Sequence, residues 1–176
     1  MTIWLTSDRH FGHENTCRGF SSWGTRPFAS AQLMDRILIS NYRQVVKNED
    51  TVYDLGDLTL AGVQHRSYVE RILSQLPGRK IFIIGNHDKH NPFTYIELGY
   101  ESVHTSLEVE EFILIHDPAA SIMALDKTWL CGHIHTLFLQ QRNCYNVGVD
   151  VHNFYPVSID KIRKDIEETK VLSKTL

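Results

Sequence analysis

Seven residues of this chain have the chemistry of metal ligands, and they fall in five short clusters: Asp8 with His10, Asp57, Asn86, His116, and His133 with His135. Each cluster directly follows an apolar run with the look of a buried strand, at residues 3–6, 51–55, 80–84, 112–115 and 128–131. In open α/β sheets ligands bind beyond the carboxyl ends of the strands, so clusters placed repeatedly at that edge imply one shared site. Two carboxylates, one amide oxygen and four imidazoles form a mixed nitrogen and oxygen set. Such a set suits Mn, Fe, Zn or Ni better than Ca or Mg alone. A bridging carboxylate would hold two ions about 3.5 to 4 Å apart, the spacing that clamps the attacking and leaving oxygens of an in-line phosphoryl displacement. Taken singly, a strand-end His or a Gly-Asp pair is weak evidence; the joint occurrence carries the inference.

The elements that position these clusters follow from periodicity. A helix is expected from Ser30, a capping residue, to residues 47–48, with Leu33, Ile37, Tyr42 and Val45 in phase. A second covers residues 65–76, with Tyr68, Val69, Ile72, Leu73 and Leu76 on one face and Pro77-Gly78 as its stop. Strand, helix, strand, helix, strand over residues 3–84 implies parallel strands with right-handed crossovers. Beyond about residue 100 strands are expected at 102–103, 109–115, 129–130, 137–140 and 145–149 without long helices between them, hence mixed or antiparallel pairing. A charged helix over 159–170 closes the chain. Residues 11–28 form a long aperiodic loop leaving the metal edge, either a substrate-facing wall or a surface loop anchored by its aromatics, and with the loops expected at 58–65, 89–100 and 117–127 it would supply substrate recognition.

With 176 residues, 42% of them hydrophobic and 22% charged, the chain reads as one globular domain spanning 1–176. Its formal charge of -3 gives no general attraction to a phosphate backbone, so extended nucleic-acid binding is not expected. A phosphorylated small molecule or a nucleotide is. Cys17, Cys131 and Cys144 are widely spaced and read as free thiols of a reducing cytosol. Neither a signal peptide nor a transmembrane run is evident, so a cytoplasmic protein without a membrane partner is expected. Oligomeric state is left open.

Asp-x-His, Gly-Asp, Gly-Asn-His-Asp, His and Gly-His-x-His, in this order from Asp8 to His135, resemble the motif series of the calcineurin-like metallophosphoesterases. Within that superfamily Ser7 to His13, Arg26-Pro27-Phe28, Asp50 to Tyr53, Asn146 to Asp150 and Tyr155 to Ser158 are similar to a group of small phage and bacterial phosphoesterases. The resemblance implies a four-layer α/β/β/α sandwich of two mixed β-sheets flanked by helices. It implies two divalent ions, Mn foremost and Fe, Zn or Ni as alternatives. Asp8, His10, Asp57 and His135 would hold the first, and Asp57, Asn86, His116 and His133 the second, with Asp57 bridging. A metal-bridging hydroxide would attack phosphorus, His87 would protonate the leaving oxygen, and Asp88 would orient the His87 ring and keep it cationic.

His13 and Asn15 are candidates for contact with substrate phosphate or for bracing the loop. Arg9 stands where a small or uncharged residue is expected, free to face solvent or a phosphate, and Asp117 stands where the subgroup shows Tyr. His65, His90, His104 and His152 read as surface or packing residues, and Trp4 and Trp129 as core. The activity implied is hydrolysis of a phosphomonoester or phosphodiester. A nuclease or nucleic-acid end-processing enzyme is the alternative, and a noncatalytic scaffold of the same fold a remote one.

Overall fold

The computed structural model describes residues 1–19, 24–59 and 66–175, excepting the side chains of 120, 122, 123 and 172–175. Parts of the loops expected at 11–28 and 58–65, and His65 itself, lie outside the described residues.

The apolar runs form strands within a residue or so of expectation. β1 (Ile3–Thr6), β2 (Thr51–Asp54) and β3 (Arg79–Ile83) are parallel neighbours in one sheet. β4 (Ser102–His104) joins β3 in parallel, and β10 (Val157–Ser158) joins β1 antiparallel, giving the order β10-β1-β2-β3-β4. The second sheet runs β5-β6-β7-β9-β8, from β5 (Ser106–Val109), β6 (Phe112–Ile115), β7 (Thr128–Cys131), β8 (Gln140–Gln141) and β9 (Cys144–Asn146). Its centre, β6-β7-β9, is parallel and its edges antiparallel. All five strands that carry the clusters therefore run parallel to their cluster-bearing neighbours.

Two helices cover the outer face of the first sheet. α1 (Ala31–Val45) starts where Ser30 Oγ accepts the Leu33 N–H at 3.2 Å, and it buries Met34, Leu38 and Tyr42. α2 (Arg66–Leu73) adds Val69, Ile72 and Leu73 to the same core, against Val52 and Phe82. Between the sheets Leu5, Leu55 and Ile83 meet Leu114, Leu130, Tyr145 and Val147, joined by Ile162 and Ile166 of α4 (Ile159–Thr175). Fully burying each such side chain stabilises by about 1.5–3 kcal/mol. On the outer face of the second sheet Trp129, Cys131 and Cys144 pack together, beside the 3₁₀ segment Pro118–Met123. The result is two mixed sheets flanked by helices, as expected. Among the described residues no helix is long and apolar enough to cross a membrane.

Four local expectations change. The single run at 109–115 is a hairpin, turned at Glu110, which takes φ 53° without any glycine to announce it. The segment 89–100, read as loop, holds α3 (Pro92–Glu97), started by Asn91 and Pro92 and fixed by Tyr95 on Phe82 with ring centres 4.4 Å apart. Of the strand expected at 137–140 only Gln140 is in a strand, the two-residue β8, and the strand expected at 145–149 is β9 followed by a 3₁₀ turn, Val149–Val151.

Candidate metal centre

Immediately after its strand, each of several ligand-type residues adopts a backbone that L-residues avoid. Asp8, His10, Asp57, His133 and His135 have φ between 46° and 70°, at a cost of about 1–3 kcal/mol each. Hydrogen bonds between the loops hold these turns. Asp8 N–H donates to Gly56 O and His10 N–H to Asp57 O, both at 3.0 Å. His133 N–H donates to the Asp8 carboxylate at 3.0 Å, and His87 N–H to Asp57 Oδ1 at 2.9 Å. Gly132 passes so close that a Cβ there would lie 2.6 Å from Asp8 Oδ2.

The turns bring the expected ligands together. Asp8, His10 and His135 form one group, and Asp8, Asp57 and His116 a second, each with its donor atoms within 4.8 Å of one another. Asp57 Oδ2 lies 3.6 Å from His10 Nε2 and 3.5 Å from His116 Nε2, so its carboxylate also stands between the two groups. Asn86 Oδ1 is 2.9 Å from His116 Nε2 and 2.7 Å from His133 Nδ1. His116 Nδ1 faces Leu55 O at 2.6 Å, which makes Nδ1 the donor. In a neutral His116 the Nε2 lone pair then points at an amide oxygen, a repulsive contact unless a proton or a cation lies between them. This arrangement, with two buried carboxylates beside it, fits a pair of divalent cations.

Electrostatics agree. Complete burial raises the pKa of Asp8, against the pull of His116 and His135. Burial also disfavours ionised Asp57, but His116 and the His87 N–H outweigh it and hold its carboxyl at about 2. Burial works against a charged His116, yet Asp57 and Asp8 lift it to about 9. Because Asn86 is nearer to His116 Nε2 than Asp57 is, the carboxylate acts on His116 chiefly as a charge. His10 is driven well below its usual value by burial and by Arg26.

Around this centre the expected roles separate. The half-exposed His87 ring lies 5.6 Å from that of His10, with Nε2 3.9 Å from Asp57 Oδ2. Asp88, expected to orient His87, has its carboxylate on three backbone donors instead: Asp57 N–H at 2.7 Å, Gly85 N–H at 2.8 Å and Leu58 N–H at 3.2 Å. Burial pushes Asp88 up to about 7 despite these bonds. The His13 ring is 5.6 Å from His10, whereas Asn15 lies exposed on the 3₁₀ turn Glu14–Thr16. Arg9 faces neither solvent nor the site: it is buried on Asp54, with Tyr100 Oη at 2.9 Å and the Phe11 ring beneath it. Asp117 caps its own 3₁₀ turn through Ala119 N–H. His152 stacks on Tyr145, and Trp129 is core, as expected, while Trp4 is partly buried against the core and donates Nε1–H to Asp50.

Two residues whose motifs stand out in the sequence acquire a role only here. Asp150 Oδ2 lies 2.7 Å from His135 Nδ1, and Arg26 grips Asp150 with two bonds, at 2.8 and 2.9 Å. Beside the centre opens a cleft of about 560 Å³ lined by Asp57, His87, His133, Ile134, His135, Thr136 and Leu137.

Comparison with known proteins bears on fold and family. The family model of the calcineurin-like phosphoesterases matches residues 1–171. An uncharacterized protein of Methanocaldococcus jannaschii, MJ1445, is 38% identical over 97% of this chain and 94% of its own length. The Gene 66 protein of Mycobacterium phage L5 is 33% identical over 51% of this chain and 41% of its own. Among solved structures, a protein of unknown function from Aquifex aeolicus, AQ665, aligns with a TM-score of 0.70 and 25% identity, over 93% of this chain and 98% of its own. The nuclease MPE of Pseudomonas putida aligns at 0.50 with 21% identity, over 76% and 61%, a likeness of fold. The chain belongs to the calcineurin-like phosphoesterase family.

Proposed function

We propose that the chain, as one domain over 1–176, is a dinuclear metal-dependent phosphoesterase, with Mn the first candidate and Fe, Zn or Ni the alternatives. Asp8, His10, Asp57 and His135 would hold one ion, and Asp57, Asn86, His116 and His133 the other. The observation that carries this reading is the meeting of Asn86 Oδ1, His116 Nε2 and His133 Nδ1 within hydrogen-bond reach, one loop away from the Asp8, His10 and His135 group. Two such cations acidify bound water enough to furnish a nucleophile near neutral pH and neutralise charge on the phosphoryl group.

The chain's own residues do the rest. His87, on the cleft wall, is placed to give a proton to the leaving oxygen. Asp57 is the carboxylate near its ring, and Asp88 serves instead to hold the loops that present Asp57 and Asn86. His13 is the better placed of the two candidate substrate contacts. No Lys or Arg lines the cleft among the described residues, and none occurs in residues 20–23 or 60–65. A compact ester is thus favoured over an extended polyanion.

The test is hydrolysis of p-nitrophenyl phosphate and bis-p-nitrophenyl phosphate by metal-stripped protein refilled with Mn, Ni, Zn or Mg, beside Asp57→Ala. Metal-dependent turnover lost in the variant supports the reading, and the better ester separates monoesterase from diesterase. Inhibition by single-stranded DNA at low concentration would favour the nuclease instead. A protein that binds no metal would overturn the proposal.

A further inference from the structure

Of the two buried Arg–Asp pairs described so far, Arg9 with Asp54 faces away from the centre, whereas Arg26 with Asp150 touches it. Both side chains of that second pair are almost wholly buried, at 1% and 3% exposure. A buried ion pair is weak evidence for stability, because an apolar pair of similar size often serves the fold as well. What this pair touches is therefore informative. Asp150 Oδ2 accepts from His135 Nδ1 at 2.7 Å, leaving Nε2 as the nitrogen turned toward Asp8, at 3.9 Å. Arg26 donates through Nε and Nη2 to the two Asp150 oxygens, and through Nη1 and Nη2 to the carbonyls of Arg9 at 2.9 Å and Asp8 at 2.5 Å. Its own N–H donates to Thr16 O at 2.8 Å, which ties the loop carrying His13 to the same point. On the other side of the centre His116 leans on a neutral carbonyl, Leu55 O, and no comparable ion pair supports it among the described residues.

We infer that Arg26 and Asp150 are positioning residues that selectively strengthen the metal position containing His135. Asp150 would do so by fixing the tautomer and ring orientation of His135. Arg26 would hold the Asp150 carboxylate in register with the Asp8 turn. The inference rests on the dinuclear reading, and it adds an asymmetry: one position is backed by a charged pair, the other by a neutral carbonyl. Losing a carboxylate behind a metal-bound imidazole typically weakens the metal by about 10–100-fold.

The experiment is metal titration by calorimetry with Mn or Zn, with no activity required. Two single-site backgrounds are used, His116→Ala to disable one position and His135→Ala to disable the other. In the His116→Ala background Asp150→Asn should weaken the remaining ion about 10–100-fold, and Asp150→Glu should restore part of the loss. In the His135→Ala background Asp150→Asn should leave the remaining ion within about twofold, since the imidazole it acts through is gone. Arg26→Lys keeps the charge but not the paired bonds. It should fall between wild type and Asp150→Asn, and it carries the test should Asp150→Asn not fold. Equal weakening in both backgrounds, or none in either, overturns the inference. Wild-type protein that binds fewer than two ions overturns the dinuclear reading itself, a different outcome.

Discussion

Removing the Asp88 side chain tests the division of labour at the centre. Its carboxylate receives the N–H groups of Asp57, Leu58 and Gly85 at 2.7, 3.2 and 2.8 Å, and it is 7% exposed. Asp88→Ala leaves three buried donors without an acceptor, at about 1–3 kcal/mol each. Partial relaxation and entry of water reduce the sum, so a loss of about 3–5 kcal/mol is expected. For a chain of this length that lowers the midpoint of thermal unfolding by roughly 6–20 °C. Asp88→Asn keeps one oxygen for Asp57 and Gly85 but turns an amide N–H₂ toward the Leu58 N–H, so it should lose less, about 1–3 kcal/mol. Urea unfolding of the metal-free proteins measures both. Because the freed loops carry Asp57 and Asn86, metal affinity should fall in the same order. An Asp88→Asn protein with wild-type stability and metal affinity but greatly reduced turnover would refute this account and return Asp88 to service of the His87 ring.

Further outcomes follow from the same geometry. His116, held cationic up to about pH 9 in the metal-free protein, must lose its proton to bind a cation. Binding at pH 7 should then release close to one proton and tighten about tenfold per pH unit up to that value. Calorimetry in buffers of different ionisation heat reads the release, and its persistence in His116→Ala would contradict the assignment. Asp57 and Asp150 have folded pKa values of about 2, below the usual 3.8. Each thus adds stability above pH 3.8 that is lost as pH falls through about 2, at most about 2 kcal/mol apiece. Acid unfolding of metal-free Asp150→Asn should show a correspondingly shallower fall, and an unchanged curve would contradict it. Gly132→Ala drives a Cβ into Ser7 and Asp8. It should destabilise by about 1–3 kcal/mol and lose metal at the Asp8, His10 and His135 group, as measured by metal content after dialysis.

Legibility in the sequence followed the range of the forces involved. β1, β2, β3, β6 and β7 could be read nearly to the residue because each is a short apolar run ended by a Gly, Asp or His turn. α1 was plain as a helix from its Ser30 cap, but of the face expected from Leu33, Ile37, Tyr42 and Val45 only Tyr42 is buried: Ile37 is exposed, and Met34 and Leu38 go inward in its place. α3 was not plain, because six residues give too few turns to show a period. Glu110 carries a hairpin turn in a left-handed conformation with no glycine, so the run 109–115 gave no sign of a break. The ligand-type residues were recognisable from type and order. Their supports were not: Arg26 and Asp150 meet across 124 positions, and Arg9 is turned inward by Asp54 and Tyr100, contacts that only the packed sheets create. The surroundings of Asp88 were hidden for a related reason: its neighbour in sequence is His87, but two of the three backbone donors on its carboxylate, Asp57 and Leu58, come from a different strand end.

The pairing of β1 bears on how the protein is made. β1 is flanked by β2 on one side and by β10, near residue 158, on the other, while Ser7 bridges to Gly148 and accepts the Val149 N–H. Until that late segment leaves the ribosome, the strand that carries Asp8 and His10 has an open edge, the kind of surface that recruits foreign strands. Asp150 is missing over the same interval. A chain that has emerged only through β9 thus holds all seven candidate ligands, Asp8 to His135, without Asp150 behind His135 or the second neighbour of β1, so the centre depends on a segment that follows every one of them in sequence.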